Sequence, residues 1–260
     1  MKLKQLSLPL LALSSSFAFA GTMGPVAEFN PSLYFKVGSG GSYSMNTGID
    51  ANPTTWDPAI EGYDANVGKT ALYSAAIGYN FTPLVSFDFE YIYRPSYHYS
   101  KLQTAAASAD TLDYSSDSKT RYFNLQSNSV MGNLYLHGKG FSDHLVWNTG
   151  YGFSLEPFIG AGLGVAFNTV SDFHTIRSTG VSQSFLPDNL RSSIAWQLSA
   201  GLNFYNDGNF NLGAGYRYYN GETFTSESTF IDFQDTTLYP WSGTISANEF
   251  FITISYKIDA

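Results

Sequence analysis

The chain has 260 residues and a formal net charge of -8, with 17 % aromatic side chains (19 Tyr and 21 Phe among them) and only 13 % charged ones. The acidic balance excludes nucleic acid as a partner, because phosphate binding needs a basic footprint, and zero cysteines exclude disulfides and thiol chemistry. Soluble domains carry roughly a quarter charged residues, so much of this surface is expected to face something other than water.

Residues 1–20 have the three parts of a secretory leader. Lys2 and Lys4 form a basic start, 6–13 is a short apolar run broken by Ser7 and Pro9, and Ala18-Phe19-Ala20 is a small-residue cleavage site. The expected mature chain, 21–260, suits one domain. No apolar run reaches the roughly 18 residues of a membrane helix.

Eight segments alternate as strands, whose side chains point to opposite faces in turn. The first, 33–39, sets Leu33, Phe35 and Val37 against Tyr34, Lys36 and Gly38. The second, 71–81, ends at a Thr82-Pro83 turn, since proline cannot sit inside a ladder. The third, 84–94, is the clearest: Val85, Phe87, Phe89, Tyr91 and Tyr93 against Ser86, Asp88, Glu90 and Arg94. In the fourth, 121–136, the apolar residues change parity between Phe123, Leu125 and Val130, Leu134, which predicts a bulge near 126–129. The fifth, 156–168, pairs Ile159, Ala161, Leu163, Val165 and Phe167 with a glycine row at Gly160, Gly162 and Gly164. The sixth, 193–205, and seventh, 210–219, flank an Asp207-Gly208 hairpin turn. The eighth, 249–258, has Phe250, Ile252, Ile254, Tyr256 and Ile258 on one row.

The connections 42–70, 95–120, 169–192 and 220–247 are long and the turns at 82–83 and 206–209 short, which is the asymmetry of an outer-membrane barrel. Segment 138–155 is intermediate and predicts an extra turn or short helix on the periplasmic rim.

Alternation alone fits both a soluble barrel with its apolar face inward and a membrane barrel with that face outward. Side-chain size arbitrates. The small face, rich in Gly, Ser and Asn, suits an eight-stranded lumen only wide enough for side chains to fill. The expected fold is therefore all-β: an eight-stranded antiparallel up-and-down transmembrane barrel, closed by its first and last strands. Phe89, Tyr91, Trp196, Leu198, Phe250, Ile252, Ile254 and Tyr256 would face lipid. Lys36, Asp88, Glu90, Arg217 and Lys257 would lie inside, where lone charges are costly and must pair, with Glu90 and Arg217 foremost. Tyr91, Tyr93, Tyr216 and Tyr218 above, and Phe81, Phe87 and Phe204 below, would form the interfacial girdles.

With the leader, eight alternating strands, long outer connections and the stretch Glu156-Pro-Phe-Ile-Gly-Ala-Gly-Leu-Gly-Val-Ala166, the chain resembles small outer-membrane β-barrels of the OmpA-transmembrane-domain, OmpX and opacity-protein type. The resemblance implies a Gram-negative outer membrane, contact with lipid and lipopolysaccharide, and a monomer. Members commonly end in an aromatic residue, whereas Tyr256 is followed here by Lys257-Ile-Asp-Ala260.

The chemistry-bearing constellations are few. His98-Tyr99-Ser100 places a histidine and a serine on one strand face, as lipid-modifying barrels do, but no carboxylate sits at the matching offset. His137, His144 and His174 lie on different segments without a metal-ligand spacing, so no metal and no cofactor is expected. The outer connections join acid to aromatic: Trp56 in the first, and Glu222, Glu227, Asp232, Asp235 and Trp241 in the fourth. Such loops suit a host or surface ligand. The expected role is non-enzymatic, in adhesion or envelope integrity; the alternatives are a narrow pore for small solutes and a lipid-modifying enzyme.

Overall fold

The structure, a computed structural model, describes residues 31–51, 66–103, 119–149, 152–177, 180, 182–206, 208–227 and 240–258. The leader, Trp56, Asp232 and Asp235 lie outside the described residues. Among those described the strands are β1 (Ser32–Ser44), β2 (Asp50–Ala51), β3 (Lys69–Asn80), β4 (Val85–Tyr93), β5 (Tyr97–Gln103), β6 (Lys119–His137), β7 (Trp147–Asn148), β8 (Phe153–Arg177), β9 (Ser182–Leu186), β10 (Asn189–Asn206), β11 (Phe210–Thr225) and β12 (Trp241–Ile258).

Eight of them form a closed antiparallel ring in the order β1, β3, β4, β6, β8, β10, β11, β12 and back to β1. The closing seam runs from Leu33↔Ile258 to Ser44↔Ala247, and β6 meets β8 from Lys119↔Arg177 to His137↔Phe158. Closure leaves no sheet edge, so each backbone group in the hydrocarbon region finds a partner within the sheet. The long connections of such barrels lie outside the cell and the short turns face the periplasm, so the end holding Pro83 and Asn209 is the periplasmic one.

Bulky residues point outward: Phe89 is 60 % exposed and Ile252 66 %, whereas the inward Asp88 and Glu249 are 0 % exposed. The glycine row makes room inside. A Cβ on Gly78 would run into the Tyr34 ring, and one on Gly160 would reach the Tyr135 ring at 2.6 Å.

The parity change expected in the fourth strand as a bulge near 126–129 is absent. Arg121, Phe123, Leu125, Ser127, Ser129, Met131 and Asn133 are all buried on one unbroken inward row of β6. What changes is the surrounding solvent. Within the bilayer the apolar row faces out, with Val130 and Leu134 exposed; above it the barrel continues into water and the apolar row faces in, with Phe123 and Leu125 buried. β12 inverts the same way, from outward Ile252 and Ile254 to inward Ile245 and Trp241. Bulges lie elsewhere, among them the register shifts in β8 beside Asp172 and in β11 beside Glu222, which among the described residues are the non-glycine positions with positive φ (52° and 55°). Each adds a residue to one strand and lets it bend.

The described parts of the long connections hold further strand. β5 falls inside 95–120 and pairs with β6, β9 pairs with the upper part of β8, and β11 and β12 stay paired up to Thr225↔Ser242. At the periplasmic rim, 138–155 holds two 3-10 turns, Gly138–Gly140 and Asp143–Leu145, and β7, which pairs with the start of β8.

Candidate functional site

The interior is layered along the axis. At mid-height, six charged side chains from β1, β4, β11, β12 and the residue following β4 meet. Glu249 is the hub: Arg94 donates to it through Nε (2.6 Å) and Nη2 (3.3 Å), Arg217 through Nε (2.7 Å) and Ser42 through Oγ (2.7 Å). Arg217 reaches across the lumen from β11 to β4, with Nη1 3.3 Å from Glu90 Oε2. Asn133 donates to both Glu90 (3.1 Å) and Asp88 (2.8 Å), and itself accepts from Gln197 at 2.7 Å. Lys36 pairs with Asp88 and donates to the Tyr135 hydroxyl at 3.0 Å. Three cations, Lys36, Arg94 and Arg217, thus neutralise three carboxylates, Asp88, Glu90 and Glu249. The Arg94 guanidinium also lies 3.6 Å from the centroid of the Tyr219 ring. A buried charge is tolerated only when paired and hydrogen-bonded, and each of these is.

Of the residues expected inside, Lys36, Asp88, Glu90 and Arg217 are brought together here. Lys257 is not: it lines the periplasmic mouth, and among the described residues no carboxylate lies within ion-pair distance of it. Sequence reasoning left out Arg94 and Glu249, which hold the centre. The signal was present in their parity, since Arg94 shares a row with Asp88 and Glu90, and Glu249 shares one with Thr253 and Lys257.

Above the network lies a mainly apolar layer, with Arg121 the buried charge in it. Tyr99 stacks on Phe123 at 4.5 Å, Phe123 lies parallel to Phe173 at 6.0 Å, and Trp241 meets Phe173 edge-on at 5.2 Å. Trp241, expected on an outer loop, is instead 1 % exposed inside this layer, because β12 starts there and its inward row is apolar above the bilayer. Glu222 sits in β11 at its bulge, and Glu227 follows the strand end.

On the outer wall Phe89, Tyr91, Leu198, Phe250, Ile252, Ile254 and Tyr256 are exposed, and Trp196 is half-buried against Tyr218 at 5.3 Å. His98 and Ser100 point outward from β5, where His98 Nδ1 lies 2.6 Å from Asn124 Oδ1 and, among the described residues, no carboxylate orients it.

Below the network the lumen opens into a periplasmic vestibule of about 330 Å3. Lys36, Ser86, Tyr135, His137, Glu156 and Asn203 are on its wall. Among the described residues no three His, Asp or Glu side chains converge as a metal site.

A closed eight-stranded sheet with a greasy outer wall and an ion-paired interior defines a small transmembrane β-barrel. The chain is similar to small outer-membrane barrels of the OmpA-transmembrane-domain, OmpX and opacity-protein type. No family model and no curated protein matches it. Among solved structures it is similar to the outer-membrane protein OprG of Pseudomonas aeruginosa, with 9 % identity, 89 % of this chain and 97 % of that one covered, and a TM-score of 0.49. AlkL in lipid bilayers gives 14 % identity over 92 % and 96 % of the two chains with a TM-score of 0.42. Ail, the attachment invasion locus protein of Yersinia pestis, gives 13 % over 88 % and 100 % with a TM-score of 0.37.

Proposed function

We propose that the chain is a non-conducting outer-membrane barrel whose role is structural and adhesive: a rigid pin in the bilayer that holds its outer connections above the lipopolysaccharide for a surface ligand. It acts as a monomer in contact with lipid and lipopolysaccharide. The observation that carries this reading is the bridge Arg94–Glu249–Arg217–Glu90, which spans the lumen from wall to wall with side-chain exposures of 0 to 4 %. The apolar layer above it removes a water path to the outside. A lumen filled this way contributes stiffness and leaves recognition to the outer end, where binding residues held on a rigid scaffold concentrate.

Two measurements test the reading. The folded protein, identified by heat-modifiable migration on a denaturing gel, should be silent in planar bilayers; steady single-channel steps would replace the adhesive reading with the pore. A chain lacking 228–239 should assemble normally yet lose whatever binding to host matrix or glycan the intact cells show. Equal binding by both chains would remove the fourth outer connection from the function.

A further inference from the structure

The vestibule wall carries a hydroxyl, an imidazole and a carboxylate in functional order. His137 closes β6 and stands between Ser86 of β4 and Glu156 of β8. Its Nε2 is 2.7 Å from Ser86 Oγ, and its Nδ1 is 3.5 Å from Glu156 Oε1. Asn203 of β10 holds the carboxylate, its Nδ2 donating to Glu156 Oε1 at 3.5 Å. A nucleophile within reach of a base, with the base oriented by a third group, is the signature of an activated serine. With Glu156 Oε1 facing Nδ1, the tautomer with hydrogen on Nδ1 is favoured, which leaves the Nε2 lone pair facing the hydroxyl. Ser86 is only 2 % exposed, so its oxygen is sheltered from bulk water yet borders the vestibule.

The surroundings suit a small ester. A volume of about 330 Å3 lies at the lower end of ligand pockets. Asn80 lies directly across from Ser86 in the β3–β4 register and lines the same space; its amide nitrogen donates one hydrogen to Ser32 Oγ at 3.0 Å and keeps a second for a developing oxyanion. Lys139 and Lys257 also line it, and among the described residues neither has a carboxylate at ion-pair distance, which favours an acyl group with a negative charge.

We propose that Ser86, His137 and Glu156 form an acyl-transfer site, facing the periplasm, that hydrolyses small anionic esters. Ser86 Oγ attacks the acyl carbon while its proton passes to His137 Nε2. The bond from that carbon to the leaving oxygen breaks, and the alcohol departs with the proton from Nε2. Water, deprotonated by the same nitrogen, then attacks the acyl-serine, which releases the carboxylic acid and restores the hydroxyl. The chemistry is independent of the adhesive role and of the outward His98–Ser100 pair.

The test uses the folded barrel in detergent, with folding checked by heat-modifiable migration. Diethyl p-nitrophenyl phosphate should release one p-nitrophenolate per barrel and leave a diethylphosphoryl group on Ser86, located by peptide mass spectrometry. His137→Gln should slow that labelling by at least about a hundredfold, the scale of a lost general base, and Ser86→Ala should abolish it. Mono-p-nitrophenyl succinate should turn over faster than p-nitrophenyl butyrate, and Ser86→Ala should abolish both. A folded wild-type barrel with no adduct at Ser86, or equal labelling rates in wild type and His137→Gln, overturns the proposal. The adduct site on the wild-type chain decides the matter even if a variant fails to assemble, because a hydroxyl that only fills space does not react.

Discussion

Arg94 Nε donates to Glu249 Oε1 at 2.6 Å, with both side chains 0 % exposed and the two residues 155 positions apart in the chain. Arg94 is the last inward residue before Pro95, where the strand path breaks before β5. Glu249 sits in β12, where the outward row passes from the lipid-facing Phe250 toward the outer end. The pair therefore marks the height at which the polar interior of the bilayer segment gives way to the apolar interior of the extension. Arg217 approaches the second oxygen of Glu249 at 2.7 Å, so one carboxylate separates two guanidinium groups.

Glu249→Ala should accordingly be costly. It leaves Arg94 without its carboxylate, beside Arg217 in a desolvated space, and removing one partner of a buried ion pair costs about 3–5 kcal/mol. Urea unfolding of the barrel in lipid vesicles should show that loss. Adding Arg94→Met to Glu249→Ala should recover part of it, because Arg217 keeps Glu90 as a partner at 3.3 Å. A double variant as unstable as the single one would mean that Glu249 acts by packing alone.

The glycine row yields a second prediction. A Cβ on Gly164 would run into the carbonyl oxygen of Val130 and lie 2.8 Å from Met131 Cα, both on the neighbouring β6. Neither backbone atom can swing aside, so Gly164→Val should fail to give the heat-modifiable form. Gly132→Ala is the control: its nearest contact is the edge of the Phe87 ring at 3.4 Å. It should fold with stability within about 0.5 kcal/mol of wild type.

The bilayer segment was legible because its two rows differ in size as well as polarity; Phe89 beside Asp88 admits one orientation. The extension was not, because there the outer row meets water and the inner row turns apolar. Phe123 and Leu125 then looked out of phase with Val130 and Leu134 although β6 never changes face. The same inversion hid Trp241, which reads as a loop aromatic when it is placed in a connection and as core once β12 reaches it. In the ionic network, parity placed Glu90 and Arg217 inside, but heights around the ring depend on strand stagger. No row pattern shows that Glu249 would stand level with Arg94. The Ser86–His137–Glu156 cluster depends equally on stagger, since its members come from three strands and share no sequence motif.

Trp241→Ala tests whether the outer layer folds as its own unit. Truncating a buried tryptophan costs about 3–5 kcal/mol, and Trp241 packs on Tyr99 at 6.2 Å and Phe173 at 5.2 Å. The loss should fall on the extension: faster protease nicking between 97 and 125 and faster amide exchange in β5 and the upper part of β6, with heat-modifiable migration retained. Loss of that migration would show that the two layers fold as one cooperative unit.

The lipid-facing assignment is tested by placing a charge on the wall. Ile252 is 66 % exposed on the outward row of β12, between Phe250 at the upper ring of aromatics and Tyr256 at the lower. That position is deep in the hydrocarbon, where an outward arginine costs a membrane barrel about 2–4 kcal/mol. Ser100 also points outward, but from β5 in the extension, where the surroundings are water. Ser100→Arg should therefore change stability by no more than about 0.5 kcal/mol. In urea titrations of the barrel in vesicles, Ile252→Arg should unfold at clearly lower urea, and Ser100→Arg should overlay wild type. If the two variants unfold together, the row that carries Ile252 does not face lipid, and the barrel is a soluble one whose outer wall is wet.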